Sequence, residues 1–111
     1  MIKFNDVKSI DRDTAENVFN SKNSKEICDA LIRITYYDHD YKWVQSKCIR
    51  FLDSNDLNVK RLAIICLGHL ARIHKQLDKE AVIPLLKKLQ NDPNVGGAAE
   101  DALDDIESFL Q

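Results

Sequence analysis

The strongest restriction on the fold of this chain is a sentence written twice. Asp56–Leu70 reads DLNVKRLAIICLGHL, and thirty-six positions on Asp92–Ile106 reads DPNVGGAAEDALDDI. Asp, Asn, Val, Ala and Leu recur in register. In the first copy Val59, Leu62, Ala63, Cys66, Leu67, Leu70 and Ile73 are spaced by threes and fours, which draws one apolar stripe on a helix. The second copy repeats the stripe with Val95, Ala99, Ala102, Leu103, Ile106 and Phe109. Asp56 and Asp92 stand where a side chain can cap the first turn, and Pro93 follows where its missing N–H costs nothing.

Each copy is preceded by a shorter apolar pattern: Val44, Cys48, Phe51 and Leu52 before the first, and Val82, Leu85, Leu86 and Leu89 before the second. Asp78 is the expected cap of the latter, Leu77 and Val82 suit a hydrophobic staple, and Pro84 should remove one backbone bond and bend the axis. The amino-terminal third is a looser copy. Asn23 with Glu26, and Asp13 with Glu16, read as capping boxes. The pattern predicts helices near 13–20, 24–37, 40–52, 57–74, 79–90 and 94–109, and assigns nothing to residues 1–12. These pair as three hairpins, 13–37, 40–74 and 79–109, in one all-α domain over 1–111 with no sheet. A lone hairpin cannot bury its apolar stripe, whereas stacked hairpins cover one another. Ile64, Ile65 and Ala71 make the middle long helix apolar around most of its circumference, as a helix flanked on both sides should be. The last helix, polar along one side, suits an end position.

The period, the Asp-x-Asn-Val opening, the Ala and Leu four and eight positions after that Val, and Pro84 together resemble HEAT repeats. The likeness is good over residues 40–109 and poor over 13–37, and it implies a short α-solenoid. Basic residues often follow the Val in that family; Lys60 and Arg61 match, whereas Gly96 and Gly97 depart and weaken the start of the last helix.

Composition narrows the function. Apolar residues at 44% and charged residues at 31% suit a folded soluble chain, and three glycines with two prolines disfavour an all-β fold. No apolar run approaches the ~20 residues that span a bilayer, and the amino terminus lacks a signal-peptide core, so a cytoplasmic location is expected. Cys28, Cys48 and Cys66 are widely spaced within apolar patterns and read as buried reduced thiols. No metal-ligand spacing, phosphate-binding loop or nucleophile motif is present: His69 and His74 are five apart, and His39 sits in an Asp-His-Asp loop that rarely converges. The reading is therefore no catalytic, metal or cofactor site, and no enzyme.

Charge is lopsided. Residues 1–89 hold all 16 Lys and Arg against 12 acids, while residues 90–111 hold six acids and no base. Glu100 with Asp104 and Asp101 with Asp105 are like-charge pairs one turn apart, each destabilising a helix by about 0.2–0.5 kcal/mol, and several stand near the helix end where the dipole disfavours them. Local stability does not select this pattern. A polar end face kept for solubility would explain it, and so would a docking surface for a basic protein. The stretch ITYYDHDYKW offers a second edge: Tyr36, Tyr37, Tyr41 and Trp43 are either packed at the first hairpin junction or form a partly exposed hot spot, with Asp38 and Asp40 beside them.

The partner-binding candidates are thus Glu100, Asp101, Asp104, Asp105, Asp38, Asp40, Tyr41 and Trp43. By size, acidity and repeat type the chain resembles the immunity proteins that protect bacteria from contact-dependent and other polymorphic toxins. That resemblance implies a protein partner, a basic toxin domain such as a nuclease, with no nucleic acid and no membrane, the chain itself being a monomer or weak homodimer. Two alternatives stay open. One is a HEAT-repeat adaptor unrelated to toxins, which would use the aromatic edge or Lys60, Arg61 and Arg72. The other is a HEAT-like base-excision enzyme working from Asp40 and Trp43 beside Tyr36, Tyr37 and Tyr41, although an acidic surface repels a phosphate backbone.

Overall fold

Helix starts in this chain are set by carboxylates and one amide. In the computed structural model, which describes residues 7–110, Asp11 accepts from the Thr14 N–H at 2.8 Å and opens α1, Arg12–Phe19. Asn23 accepts from Glu26 N–H and opens α2, Ser24–Tyr37. Asp40 accepts from Trp43 N–H and opens α3, Tyr41–Phe51. Asp56 accepts from the Asn58 and Val59 amides and opens α4, Leu57–His69. Asp78 accepts from Ala81 N–H and opens α5, Lys79–Leu89, which runs on through the exposed Pro84. Only α6, Gly96–Phe109, lacks a side-chain cap. Among the described residues these six helices are accompanied by no strand.

Three expectations are corrected. The first cap is Asp11 rather than Asp13, because Thr14 presents both its N–H and its hydroxyl to the Asp11 carboxylate. This frame also brings Ala15 and Phe19, four apart, onto the buried side. Asp92 does not cap α6. Its carboxylate accepts from the Asn94 amide at 2.8 Å in a turn that spends Pro93 and Asn94, and the helix proper begins at Gly96. Helix α4 does not run regularly to His74. Residues Leu70–His74 form a wider π-helical turn that ends in Lys75 at φ 54°, a left-handed conformation that stops the helix. The π turn lets the His74 ring donate from Nε2 to the Thr35 carbonyl of α2 at 2.7 Å.

Packing follows the hairpin scheme. α1 lies on α2, α3 on α4 and α5 on α6, while α2, α4 and α6 stand side by side with α4 in the middle. Accordingly Val59, Ala63, Ile64, Cys66, Leu67 and Leu70 are all buried, whereas α6 buries only Ala99, Ala102 and Ile106. Cys48 and Cys66 are buried together in this core, and the hydrogen bond with Cys66, followed by burial, pushes the Cys48 thiol up; Cys28 is only half-buried.

The wall is tied along the edge where its helices start. The Ser24 hydroxyl, followed by the Val59 and Asn58 amides, holds the Asp56 carboxyl below its ordinary range. Lys60 reaches Asp92 at 3.4 Å, and Arg61 donates to the Asn94 carbonyl at 3.1 Å. The basic pair after Val59 thus fastens the first copy of the repeat to the second.

Two glycines are demanded by close approach. A Cβ at Gly68 would stand 3.1 Å from Asp105 Oδ2 and 3.2 Å from Ala102 Cα, so the glycine lets α6 lie down on α4. A Cβ at Gly96 would stand 2.5 Å from the Gln90 carbonyl oxygen, whereas one at Gly97 meets nothing within 4 Å. The adjacent glycines therefore have opposite meanings. Gly97→Ala should stabilise the fold by about 0.8–1 kcal/mol through helix propensity alone. Gly96→Ala should destabilise it, because the hairpin turn must move to admit the methyl group. Urea unfolding of both variants checks the pair; equal shifts would contradict this geometry.

Candidate protein-binding surface

Helix α6 carries its acids on a backbone held by small residues. Ala99 and Ala102 are buried, Ala102 against Gly68 of α4, which leaves the flanks of α6 to the carboxylates. Asp101 and Asp105 line a groove of about 540 Å³ between α4 and α6, opposite Arg61, His69 and Arg72. Asp104 lies on the other flank, in a groove shared with α5, and Glu100 is exposed. Ion pairs among the described residues join Arg12 to Asp38 and Asp40, Arg33 to Asp29, Lys47 to Glu16 and Lys60 to Asp92. None involves Glu100, Asp101, Asp104 or Asp105.

The α4–α6 groove is electrically divided, acids on one wall and bases on the other. His69 lines the groove, with its ring stacked on Tyr36 at 5.9 Å. Burial, then the Arg72 charge, lowers the His69 pKa, with Asp105 opposing. Arg72 donates to His69 Nδ1 at 2.5 Å, which requires that nitrogen to be unprotonated. His69 is therefore neutral at pH 7, and the groove's charge comes from its arginines and aspartates.

The second edge is differently used. Arg12 grips Asp38 with two bonds, Nε to Oδ2 at 2.9 Å and Nη2 to Oδ1 at 2.8 Å, and touches Asp40 Oδ2 at 3.3 Å. Its guanidinium lies over the Trp43 ring, 4.5 Å from the centroid. Lys47 approaches the same ring while pairing with Glu16 at 2.6 Å. Tyr41 and Trp43 are half-buried. Asp38, Asp40 and Trp43 thus meet at one place, but there they fasten α1 to the α2–α3 junction. The Arg12 hydrogen bond, aided by the Asp40 amide, holds the Asp38 carboxyl below its ordinary range.

The sequence pattern placed the acids correctly on one helix and missed Arg12, which lies 26 residues from Asp38. A lone arginine at a helix start carries no local sign of its distant partner. The described residues bring no three His, Cys, Asp or Glu side chains together as a metal site, and none of their helices is long and apolar enough to cross a membrane.

No protein-family model matches the sequence, and neither does any curated protein. Among solved structures the chain is similar to a chain of a CDI complex from Cupriavidus taiwanensis LMG 19424, with 32% identity, a TM-score of 0.86 and coverage of 100% of both chains. The chain belongs to the family of that CDI-complex component. Full coverage in both directions means that the likeness extends over the whole chain, rather than over a shared hairpin alone.

The Arg12–Asp38 cluster has a definite acid signature. A carboxylate whose folded pKa is depressed adds stability above its unfolded value, here 3.8, and that stability is lost as pH falls through the folded value. Arg12→Gln should therefore lower the urea midpoint at pH 6, and the gap from the unmodified protein should close as pH drops below about 3.8. A gap that persists undiminished at pH 2 would assign Arg12 a purely packing role.

Proposed function

We propose that this chain is an immunity protein, which binds and neutralises a cognate toxin of a contact-dependent growth inhibition system. The single observation that carries the reading is the full-length likeness to a component of a CDI complex. That likeness supports a protein partner. The chemistry of the partner is read from α6, whose acids outnumber every nearby use for them.

A toxin domain with a basic cleft fits these carboxylates. Asp101 and Asp105 are held by the α4–α6 contact, Glu100 and Asp104 flank them, and none is paired within the chain among the described residues. Such a surface steers a basic partner and speeds its association. If the toxin is a nuclease, the acids occupy the places of its substrate's phosphates. The protein acts by occlusion, without chemistry of its own, in the cytoplasm where such a toxin would arrive. Its helical pairs make it a short HEAT-like solenoid. Asp38, Asp40 and Trp43 contribute less to this surface, because Arg12 already holds them.

The test uses the toxin domain encoded beside this gene. Co-expression should abolish that domain's toxicity. Combined charge reversal, Asp101→Lys, Asp104→Lys and Asp105→Lys, should weaken binding by about 100-fold or more and slow association most at low salt. Isothermal titration and stopped-flow kinetics read the two effects. Unchanged affinity in a folded triple variant would remove α6 from the interface, and failure to protect would end the immunity reading.

A further inference from the structure

The last hairpin ends the stack with a face that no other helix covers among the described residues. Between α5 and α6 runs a groove of about 550 Å³, floored by Ile83, Leu103 and Leu110, all only partly buried. Its two rims have opposite charge. Lys79 and Lys87 stand on the α5 rim, Asp104 and Glu107 on the α6 rim. None of these four makes an ion pair among the described residues.

We infer that this face is a self-association surface, and that its occupant is a second copy of the same chain. The charge pattern selects the copy and its orientation. α5 and α6 form a hairpin and run antiparallel, so Lys79 and Glu107 mark one end of the groove and Lys87 the other. A two-fold axis perpendicular to the helices and lying in the face would set bases on bases and acids on acids. A two-fold axis parallel to the helices lays each α5 on the partner's α6. Every lysine then meets an acid: Lys79 faces Glu107 of the partner subunit, and Lys87, eight residues or about 12 Å along α5, comes level with Glu100 of the partner subunit, with Asp104 between the two acids. Ile83, Leu103 and Leu110 close around the axis. An isologous contact requires a patch that complements itself, and this face has that property in both sign and register. Other groups near the contact are Gln90, which is neutral, and the exposed Lys88, which extends the same division of sign.

Two helices of this length form a contact smaller than the roughly 800 Å² per partner of a standard interface, so the dimer is weak and depends on concentration. It uses α5 and the outer flank of α6, leaving Asp101 and Asp105 open on the α4 side.

Sedimentation equilibrium of the full chain, from about 10 µM to 1 mM at low salt, should show the mass rising from 12.7 kDa toward twice that value. About 0.5 M salt should reverse the rise. Lys79→Glu with Lys87→Glu should be monomeric throughout, and so should Asp104→Lys with Glu107→Lys. An equimolar mixture of the two double variants should recover the dimer, because each face again meets its opposite. Circular dichroism verifies that the variants are folded, and the neutral pair Asp104→Asn with Glu107→Gln serves if the reversals are not. A wild-type mass fixed at the monomer value overturns the inference. So does a dimer that survives both double variants or a mixture that fails to recover it. Protection of Lys79 and Lys87 by the toxin in a chain that never dimerises would give the face to that partner instead.

Discussion

From Leu62 to Leu67 helix α4 has no polar side chain to offer to water. A helix of this kind is stable only where neighbours cover it on several sides, and here α2 and α6 flank it while α3 closes a third side. The cover is tightest at Gly68, where the absence of a side chain lets Ala102 and Asp105 come within van der Waals distance of α4. That one approach fixes the height of α6 above the wall. It also fixes the position of every carboxylate that α6 carries.

The repeat supplies the connections as well as the shape. In the first copy the aspartate caps its own helix and is held by Ser24 of α2; in the second the corresponding Asp92 is released from capping and pairs with Lys60. One motif position thus does two jobs, capping its own helix in the first copy and joining the two copies in the second. Arg12 makes the matching tie at the other end, holding Asp38 and covering Trp43. Both ends of the stack are therefore tied by basic residues reaching across helices, Lys60 and Arg61 at one and Arg12 with Lys47 at the other.

Most of this fold was legible from local pattern. Helix number, the hairpin pairing and three of the five side-chain caps, Asn23, Asp56 and Asp78, were visible, because apolar spacing and capping chemistry act within one or two turns. The failures share a cause. Asp11 and Asp13 are equally plausible caps by residue type, and the burial of Phe19, together with the Thr14 bonds, chooses between them. Asp92 looked like a cap because Pro93 follows it, yet Gly96 must sit under the Gln90 carbonyl, and that constraint lies in the hairpin turn. The π turn at Leu70–His74 answers to Thr35, thirty-nine residues away from His74. For the binding surface, composition placed the acids on one helix, but not the bases opposite them. Arg61 and Arg72 reach the groove only because α6 lies over α4.

The acids of α6 pose an energetic question that the fold by itself does not resolve. Like charges one turn apart destabilise their helix, and the chain has bases within the same two grooves that nevertheless form no ion pairs with them. Rotating a few lysine side chains would relieve the repulsion at the cost of side-chain entropy, and surface pairs return little for that loss. A desolvating contact changes the balance, since an ion pair gains strength when water is excluded and its partner arrives pre-oriented. Carboxylates fixed on a helix pinned at Gly68 lose little freedom when they bind. The arrangement therefore costs the isolated chain a few tenths of a kcal/mol per pair, and the positive partner surface proposed above would offset that cost.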